Sequence, residues 1–309
     1  MPKKLPVLDS MPVTAPTAYD NSMLDAHKQC PRYAWYRYWL HRSPVEKSYP
    51  ITFGVAYHRY REVLDLARIQ GQPGSDEIHT LAFSEALKVY GDDEPAIGHK
   101  HEFQTKARLL KTCEQGYSYW LQEPDQGYEV LEAEQSFQVA LPGSGELYGG
   151  RMDWFGKWNG RIWIKDYKTT SRMGRTYANQ FDPRAQFSGY VWGAAKLSGQ
   201  PVQGMIVETV YNTKNIGPKH ESFLSTRTEF ALDEWIDDTE EAIVEINRWK
   251  DVGYFPKRTT ACMNFGGCYF RGCCTLSNWS SREAWLENHT EFKVWDFMKS
   301  STEKGKDNA

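Results

Sequence analysis

The stretch YGGRMDWFGKWNGRIWIKDYKTT, residues 148–170, decides the fold of this chain. It contains two strand-like runs on either side of an Asn-Gly pair. That pair is the strongest short-range signal of a two-residue hairpin turn, because both positions tolerate a positive φ. With the pair as the loop, counting outward places Asp153 directly opposite Asp166. Lys168 lies two residues beyond Asp166 and therefore points to the same face of its strand.

Two carboxylates opposed across a strand pair repel each other unless a cation lies between them. A divalent metal is the simplest such cation, and hard oxygen ligands suit Mg²⁺ or Mn²⁺ rather than zinc. The alternative is a surface hairpin whose aspartates are solvated, as most aspartates on strands are. The register, the neighbouring lysine and the apolar surroundings favour a metal site.

The composition is typical of a globular chain without a membrane span. Its 309 residues are enough for a large core, and no run reaches the roughly 18 consecutive apolar residues that a span requires. The net charge of -3 neither favours nor excludes a polyanionic partner. Because no apolar run follows the first lysines, we expect no secretory signal and a cytoplasmic protein, in a bacterial or phage-infected host cell. We expect one domain over residues 18–298, with flexible tails at 1–17 and 299–309.

Hydrophobic spacing predicts helices, then a central group of strands, then further helices. The predicted helices cover residues 21–42 (interrupted near Pro31), 53–70, 75–90, 101–121, 185–197 and 232–252. The predicted strands cover residues 128–139, the two arms of the hairpin, and 205–211. This order of elements predicts an α/β (α+β) fold with a central mixed β-sheet flanked by helices.

The glycine-rich lead-in, an aspartate, a hairpin turn and then Asp-Tyr-Lys-Thr resemble the core of the PD-(D/E)XK nucleases. The RecB-like exonucleases and their CRISPR-associated relatives are the most similar branch. The resemblance implies a restriction-endonuclease-like core in which Asp153 and Asp166 hold the metal. It implies that Lys168 positions or polarises the attacking water, and that the backbone carbonyl of Tyr167 is a further metal ligand.

Two more motifs follow the order of that family. FGVAYHRYRE, residues 53–62, resembles its Gly-x-x-x-His motif and implies that His58 is an additional metal ligand. AQFSGY, residues 185–190, resembles its Gln-x-x-x-Tyr motif. This motif implies that Gln186 and Tyr190 belong to the catalytic machinery beside the metal and line the path of the DNA. The alternatives are a surface or core histidine for the first motif, and an ordinary amphipathic helix with Tyr190 in the core for the second.

An acidic residue commonly precedes the first aspartate of the family, on the neighbouring strand. Glu134, in VLEAEQSFQ, is the residue that the resemblance assigns to this position and to the metal. Glu132 shares its parity along the strand and is the rival.

The cysteines form a second pattern. Four of the six lie within thirteen residues: Cys262, Cys268, Cys273 and Cys274. Such a cluster, in the segment 257–280, indicates metal binding more than disulfides. The resemblance to the iron–sulfur members of the branch implies a structural [4Fe–4S] cluster held by Cys30, Cys262, Cys268 and Cys274, with Cys273 as the substitute for Cys274. The first spacing differs from that of the family, and thiolates also suit zinc, so zinc remains the competitor.

The resemblance covers roughly residues 20–280. It implies an Mg²⁺- or Mn²⁺-dependent deoxyribonuclease, an exonuclease acting on single strands or DNA ends in DNA repair, recombination, or phage or CRISPR DNA processing. Because the sequence has no G-x-x-x-x-G-K-[ST] loop, a separate helicase or recombination protein is the expected partner. The arginines expected to contact DNA are Arg32, Arg37, Arg42, Arg172 and Arg175. A non-catalytic nucleic-acid-binding module and a zinc-stapled interaction protein are the alternatives from other functional classes.

Overall fold

The computed structural model describes residues 13–171, 175–212 and 217–298. Its α-helices are α1 Asn21–Gln29, α2 Pro31–Ala34, α3 Tyr49–Ile69, α4 Asp76–Tyr90, α5 Lys106–Gln122, α6 Arg175–Ala178, α7 Ala185–Ser198, α8 Glu229–Val252, α9 Arg271–Thr275 and α10 Trp279–His289. Its strands are β1 Arg42–Pro44, β2 Tyr128–Ala140, β3 Leu147–Trp158, β4 Arg161–Thr170, β5 Val202–Tyr211, β6 Lys219–Thr226 and β7 Thr290–Phe292. A π-helical turn spans Trp35–Trp39 and a 3₁₀ helix spans Thr259–Gly266. Within these described ranges, none of the helices is both long enough and apolar enough to cross a bilayer.

The chain divides into two compact units, each built from separate segments. The first unit contains the residues up to Lys47 together with Gln138–Gly149 and Asp233–Asp296. The second unit contains Ser48–Phe137 and Gly150–Leu232, with the described residues after 296. The single domain over residues 18–298 stays a prediction.

The second unit contains a five-stranded mixed sheet in the order β2-β3-β4-β5-β6. Strands β3 and β4 pair antiparallel, β4 and β5 pair parallel through a crossover that includes α7, and β5 and β6 pair antiparallel. Helices α3 and α5 pack against the sheet, and α4 packs against these two helices, in a core that includes Tyr57, Trp154 and Ile206. The predicted mixed α/β fold with a central sheet flanked by helices is confirmed.

The β3–β4 hairpin has the turn and the register that its sequence predicts. Both residues of the Asn-Gly pair have positive φ, 48° and 77°, as a tight two-residue hairpin turn requires. The pairing runs outward from this turn as far as Trp154 opposite Lys165. Continued one pair further, the same register places Asp153 opposite Asp166.

The first unit is built around an aromatic core. The four rings of the sequence between Trp35 and Trp39 are buried, and Trp39 packs against Phe255 with ring centroids 5.0 Å apart. Strand β1 pairs antiparallel with β7. Most rings of this segment therefore stabilise the fold and are not available for stacking on bases.

Several predicted boundaries shift for local reasons. Helix α3 begins at Tyr49 because Pro50 fits its first turn, where the missing N–H costs no hydrogen bond. Helix α5 begins after Thr105, whose side chain accepts a hydrogen bond from the N–H of Arg108 and caps the helix. Strand β6 was not predicted, since KHESFLST is largely polar; it lies at the edge of the sheet, where polar residues are tolerated.

Candidate active site

Asp153 is held between helix α3 and strand β4. Its Oδ1 lies 3.2 Å from Nδ1 of His58, and its Oδ2 accepts a hydrogen bond from the N–H of Tyr167 at 2.7 Å. Burial acts to raise the pKa of Asp153, but His58, Lys168 and that N–H outweigh it, so the pKa lies below its ordinary value. For His58, burial acts to lower the pKa, and the Asp153 carboxylate outweighs it and raises the pKa. Each side chain therefore favours the charged form of the other.

Glu134 completes a group of three ligating side chains. One ligand atom each of His58, Glu134 and Asp153 lie within 4.8 Å of one another, and no other such group of His, Cys, Asp or Glu occurs among the described residues. The backbone of Glu134 has a φ of 53°, uncommon for any residue but glycine, which interrupts the regular alternation of β2. Glu132 is exposed. The structure thus brings Glu134, not its rival, to the other two.

Arg151 balances the charge of Glu134. Its Nε lies 2.6 Å from Oε2 of Glu134. Burial and the neighbouring Asp153 raise the pKa of Glu134 to about 7, although Arg151 acts to lower it. Sequence reasoning missed Arg151. The signal was present, because Arg151 is two residues before Asp153 and shares its face of the strand.

Lys168 and Asp166 form the other half of the site. The Nζ of Lys168 lies 2.5 Å from Oδ2 of Asp166, which is almost completely buried, while the lysine side chain keeps about a quarter of its surface exposed. Both residues influence the pKa of His58, Lys168 lowering it and Asp166 raising it. Asp166 does not belong to the group of three and is paired with the lysine instead. All three hairpin residues singled out from the sequence nevertheless adjoin His58.

Gln186 and Tyr190 lie one turn apart on α7. The Nε2 of Gln186 donates a hydrogen bond to the Oη of Tyr190 at 3.2 Å. The tyrosine ring packs edge-on against Phe137, with ring centroids 5.8 Å apart. It also approaches Gly150 so closely that a Cβ there would lie 2.5 Å from its Cε1. Gly150, three residues before Asp153, therefore leaves the space that the Tyr190 ring of α7 occupies.

A cluster of buried charges fixes α3 against the sheet behind the site. Arg61, three residues after His58, pairs with Glu123 at 3.0 Å and lies over the ring of Tyr167, 4.2 Å from its centroid. Lys165 pairs with the same glutamate at 2.6 Å. Buried charges must be paired in this way, since an isolated one would be strongly destabilising. Sequence reasoning missed this cluster, because its members are far apart along the chain.

The donor set around Asp153 fits a divalent metal. It offers one imidazole nitrogen and two carboxylates, which are ligands of Mn²⁺ and, for the oxygens, of Mg²⁺. Burial is the largest cause of the raised pKa of Glu134, and repulsion from the Asp153 carboxylate adds to it. A cation between them removes that repulsion. The backbone carbonyl of Tyr167 is the further metal ligand predicted from the sequence, and the N–H of the same residue donates a hydrogen bond to Asp153.

Cys30, Cys262 and Cys274 are near enough to Cys268 to affect its pKa, but no three cysteine sulfurs among the described residues lie within 4.8 Å of one another. Cys30 precedes α2, and its Sγ accepts a hydrogen bond from the N–H of Arg258 at 3.5 Å. Burial raises the pKa of Cys268, and the nearby thiols of Cys274, Cys30 and Cys262 act in the same direction. Cys273 differs from these four. It is completely buried, and its Sγ lies 3.8 Å from the carbonyl oxygen of Arg282.

The arginines expected to contact DNA have other surroundings. The Nε of buried Arg32 donates to the carbonyl of Phe255 at 2.8 Å, and its guanidinium lies against three aromatic rings. Cation–π contacts and this hydrogen bond commit Arg32 to the interior of the first unit, which disagrees with its predicted role. Arg37 donates to the carbonyl of Lys293 at 3.2 Å and is half-buried. Arg172 and the side chain of Arg175 lie outside the described residues.

Most of the sequence matches one protein family. The family model of the PD-(D/E)XK nuclease superfamily matches residues 21–275. The chain belongs to the PD-(D/E)XK nuclease superfamily. It is thus a nuclease by family, a phosphodiester hydrolase, and nucleases of this superfamily use divalent metals.

Two solved structures are similar to this PD-(D/E)XK chain. One is a candidate exonuclease from Eubacterium rectale, with a TM-score of 0.48 and 14% identity over 80% of this chain and 86% of the other. The other is the protein SSO0001, with a TM-score of 0.27 and 14% identity over 71% of this chain and 84% of the other. No curated protein matches the sequence.

Proposed function

We propose that this nuclease is an Mg²⁺- or Mn²⁺-dependent deoxyribonuclease that acts as an exonuclease on single strands or DNA ends. The observation that carries the proposal is the group of His58, Glu134 and Asp153, with ligand atoms within 4.8 Å, beside the Lys168–Asp166 pair. Opposed acids, an imidazole and a lysine together provide what metal-assisted hydrolysis of a phosphodiester requires.

The side chains divide into metal ligands and groups that act on the reactants. His58, Asp153, Asp166, Glu134 and the carbonyl of Tyr167 are the proposed ligands. A bound Mg²⁺ or Mn²⁺ supplies Lewis-acid chemistry, which polarises the scissile phosphate and lowers the pKa of a bound water. The N–H of Tyr167 holds Asp153 in orientation through its hydrogen bond to Oδ2.

Lys168 is the proposed cation of the reaction. Its Nζ is anchored by Asp166, and the partial exposure of its side chain lets the amine reach a substrate. There it orients the attacking water and offsets the negative charge that develops on the phosphate. Gln186 and Tyr190, joined by their hydrogen bond, are proposed to line the strand path next to these groups.

The cysteines are proposed to hold a structural [4Fe–4S] cluster through Cys30, Cys262, Cys268 and Cys274. Cys274, Cys30 and Cys262 each act to raise the pKa of Cys268, which supports this set of four ligands. The burial of Cys273 against Arg282 supports Cys274 as the ligand of the adjacent pair. Zinc is the competing metal, since thiolates bind it equally well.

We expect the DNA strand to be unpaired where it is cut, and a separate helicase or recombination protein to supply the unpaired strand.

The protein is purified anaerobically and assayed with Mg²⁺ or Mn²⁺ on three DNA substrates: linear single strands, circular single strands and linear duplexes. We expect degradation of the linear single strand and no cleavage of the circle. Equal cleavage of the circle would contradict exonuclease action, and no cleavage of any substrate would contradict the nuclease proposal. Iron and sulfide analysis of the same preparation distinguishes the cluster from zinc.

A further inference from the structure

The buried side chain of Tyr167 contacts helix α3 at three residues. Its hydroxyl donates a hydrogen bond to Oδ2 of Asp65 at 2.6 Å, and the guanidinium of Arg61 lies 4.2 Å from the centroid of its ring. The imidazole of His58 approaches the same ring edge-on, with ring centroids 6.4 Å apart. The three residues are three and four positions apart, so they share one face of the helix. This tyrosine therefore contacts about two turns of the helix that carries the proposed ligand His58.

The backbone of Tyr167 contacts the opposite side of the candidate site, at strand β3. The regular pairing of β3 with β4 runs outward to Trp154 opposite Lys165. Beyond that pair, the N–H of Tyr167 donates to the carboxylate of Asp153 at 2.7 Å. Because Nδ1 of His58 lies 3.2 Å from Oδ1 of Asp153, a shift of α3 along β4 would change the distance between these two proposed ligands. Tyr167 contacts both the helix of His58 and the carboxylate of Asp153.

Asp65 fixes the position of the tyrosine hydroxyl. Asp65 is completely buried, and its two carboxylate oxygens accept hydrogen bonds from different elements. Oδ2 accepts from Tyr167 on β4, and Oδ1 accepts from Nε1–H of Trp120 on α5 at 3.1 Å. Hydrogen bonds to a carboxylate are stronger than those between neutral groups, and a buried carboxylate that loses a donor is destabilised. Phenylalanine would provide the same apolar surface at position 167, so the hydroxyl contributes a fixed position in addition to burial.

We propose that Tyr167, through its side chain, and Asp65 are positioning residues of the metal site. Their hydrogen bond fixes α3 along β4. It thereby keeps the imidazole of His58, the carboxylate of Asp153 and the carbonyl of Tyr167 close enough together to share one Mg²⁺ or Mn²⁺. The inference rests on the proposed function, because these three groups are the ligands proposed there. Groups that orient metal ligands typically contribute about ten- to hundredfold to metal affinity.

Two substitutions each remove one hydrogen bond from the same carboxylate. Tyr167→Phe deletes the donor to Oδ2 of Asp65 and keeps the ring against Arg61. Trp120→Phe deletes the donor to Oδ1 and keeps an aromatic ring at that position. Because α5 carries none of the proposed metal ligands, Trp120→Phe is the matched control for a loss of stability alone.

Mn²⁺ binding to the whole, anaerobically purified protein is measured by titration calorimetry, and the binding that Asp153→Ala abolishes defines the site. We expect the dissociation constant to rise by about tenfold in Tyr167→Phe and to stay within about twofold of the parent value in Trp120→Phe. Thermal melting should show a lower melting temperature for both variants, because each leaves the buried carboxylate with one donor fewer. An unchanged dissociation constant in Tyr167→Phe, or an equal rise in both variants, would overturn the proposal.

Single-turnover cleavage of a linear single strand by the same proteins separates this inference from the proposed function. Weaker Mn²⁺ binding by Tyr167→Phe alone, with a parent protein that cleaves no strand, would support the positioning role and contradict the proposed function. Cleavage by the parent protein, with an unchanged Mn²⁺ affinity in Tyr167→Phe, would support the proposed function and overturn the positioning role. A parent protein that binds no Mn²⁺ would contradict both.

Discussion

Glu134 occupies the most unusual environment of any residue of the candidate site. It has a positive φ, a raised pKa of about 7 and an arginine 2.6 Å away. Its side chain is nevertheless close enough to His58 and Asp153 to share one cation. Unfavourable backbone conformations at functional sites persist when the surrounding structure imposes them. We interpret the kink at Glu134 as the feature that turns this carboxylate toward the metal position.

Glu134→Gln should weaken metal binding, because it removes one charged ligand and leaves the side-chain shape unchanged. We expect the dissociation constant for Mn²⁺, measured by titration calorimetry, to rise by at least about tenfold. Glu132→Gln, at the exposed neighbour of equal parity, is the matched control and should bind Mn²⁺ like the parent protein. Equal affinities of the two variants would contradict the assignment of Glu134.

The sequence could not choose between Glu132 and Glu134, since regular alternation points both to one face of β2. The choice depends on a backbone kink that no local pattern announces. By contrast, Asp153, Asp166 and Lys168 could be predicted to lie together, because a two-residue turn sets the register of its own strands.

At the scale of elements, helix α1 carries a histidine with both ring nitrogens occupied. The Nε1–H of Trp39 donates to Nε2 of His27 at 3.2 Å, and Nδ1 of His27 lies 2.8 Å from the carbonyl oxygen of Met23. Because Nε2 accepts, Nδ1 carries the proton and donates, and the ring is neutral. Burial lowers the pKa of His27 to about 4, although the Met23 carbonyl acts to raise it.

Acidification should therefore destabilise the first unit through His27. The pKa is about 4 in the folded state and about 6.5 in the unfolded state, so the unfolded chain binds the proton first. The contribution to stability is complete above pH 6.5 and is lost as the pH falls toward 4. We expect the free energy of unfolding to drop by about 2 kcal/mol between pH 7.5 and pH 5 through this residue.

Denaturant unfolding of the parent protein and His27→Gln at both pH values measures this loss. Glutamine does not titrate and carries its amide near the position of Nε2, so the variant should lack this part of the pH dependence. If the free energies of unfolding of the two proteins change by the same amount between the two pH values, His27 does not contribute to the pH dependence.

Elements governed by local signals could be predicted, and elements governed by distant contacts could not. Capping residues, turn residues and apolar spacing indicated most of the long helices and the hairpin. The polar edge strand β6 and the pairing of β1 with β7, almost 250 residues apart along the chain, have no comparable local signal.

At the scale of the whole molecule, the proposed cysteine-bound metal centre would join the beginning of the chain to its last third. Cys30 lies among the first helices, whereas the other proposed ligands lie between residues 262 and 274. A metal centre that links such distant segments contributes its binding free energy to folding. The order of the cysteines was evident from the sequence, but the different surroundings of Cys273 and Cys274 became evident only in the structure.

Cys274→Ser should remove the metal centre, while the neighbouring Cys273→Ser should retain it. We expect the first variant to lose most of its iron and to melt at a lower temperature, because the first unit loses its link. The second variant should keep the iron content of the parent protein and lose only the packing contacts of the buried Cys273 side chain. Iron and sulfide analysis of both variants, purified anaerobically, decides between them, and the reverse pattern would assign Cys273 as the ligand.

We infer that the β3–β4 hairpin is the catalytic centre of this nuclease. Its most direct test is single-turnover cleavage of a linear single strand in Mn²⁺ by the parent protein, by Asp166→Asn and by Asp182→Asn, the last at an exposed aspartate. Thermal melting curves first establish that all three proteins are folded. We predict a cleavage rate at least about 10²-fold lower for Asp166→Asn and an unchanged rate for Asp182→Asn. Cleavage by Asp166→Asn at the parent rate would contradict the assignment of the β3–β4 hairpin as the catalytic centre.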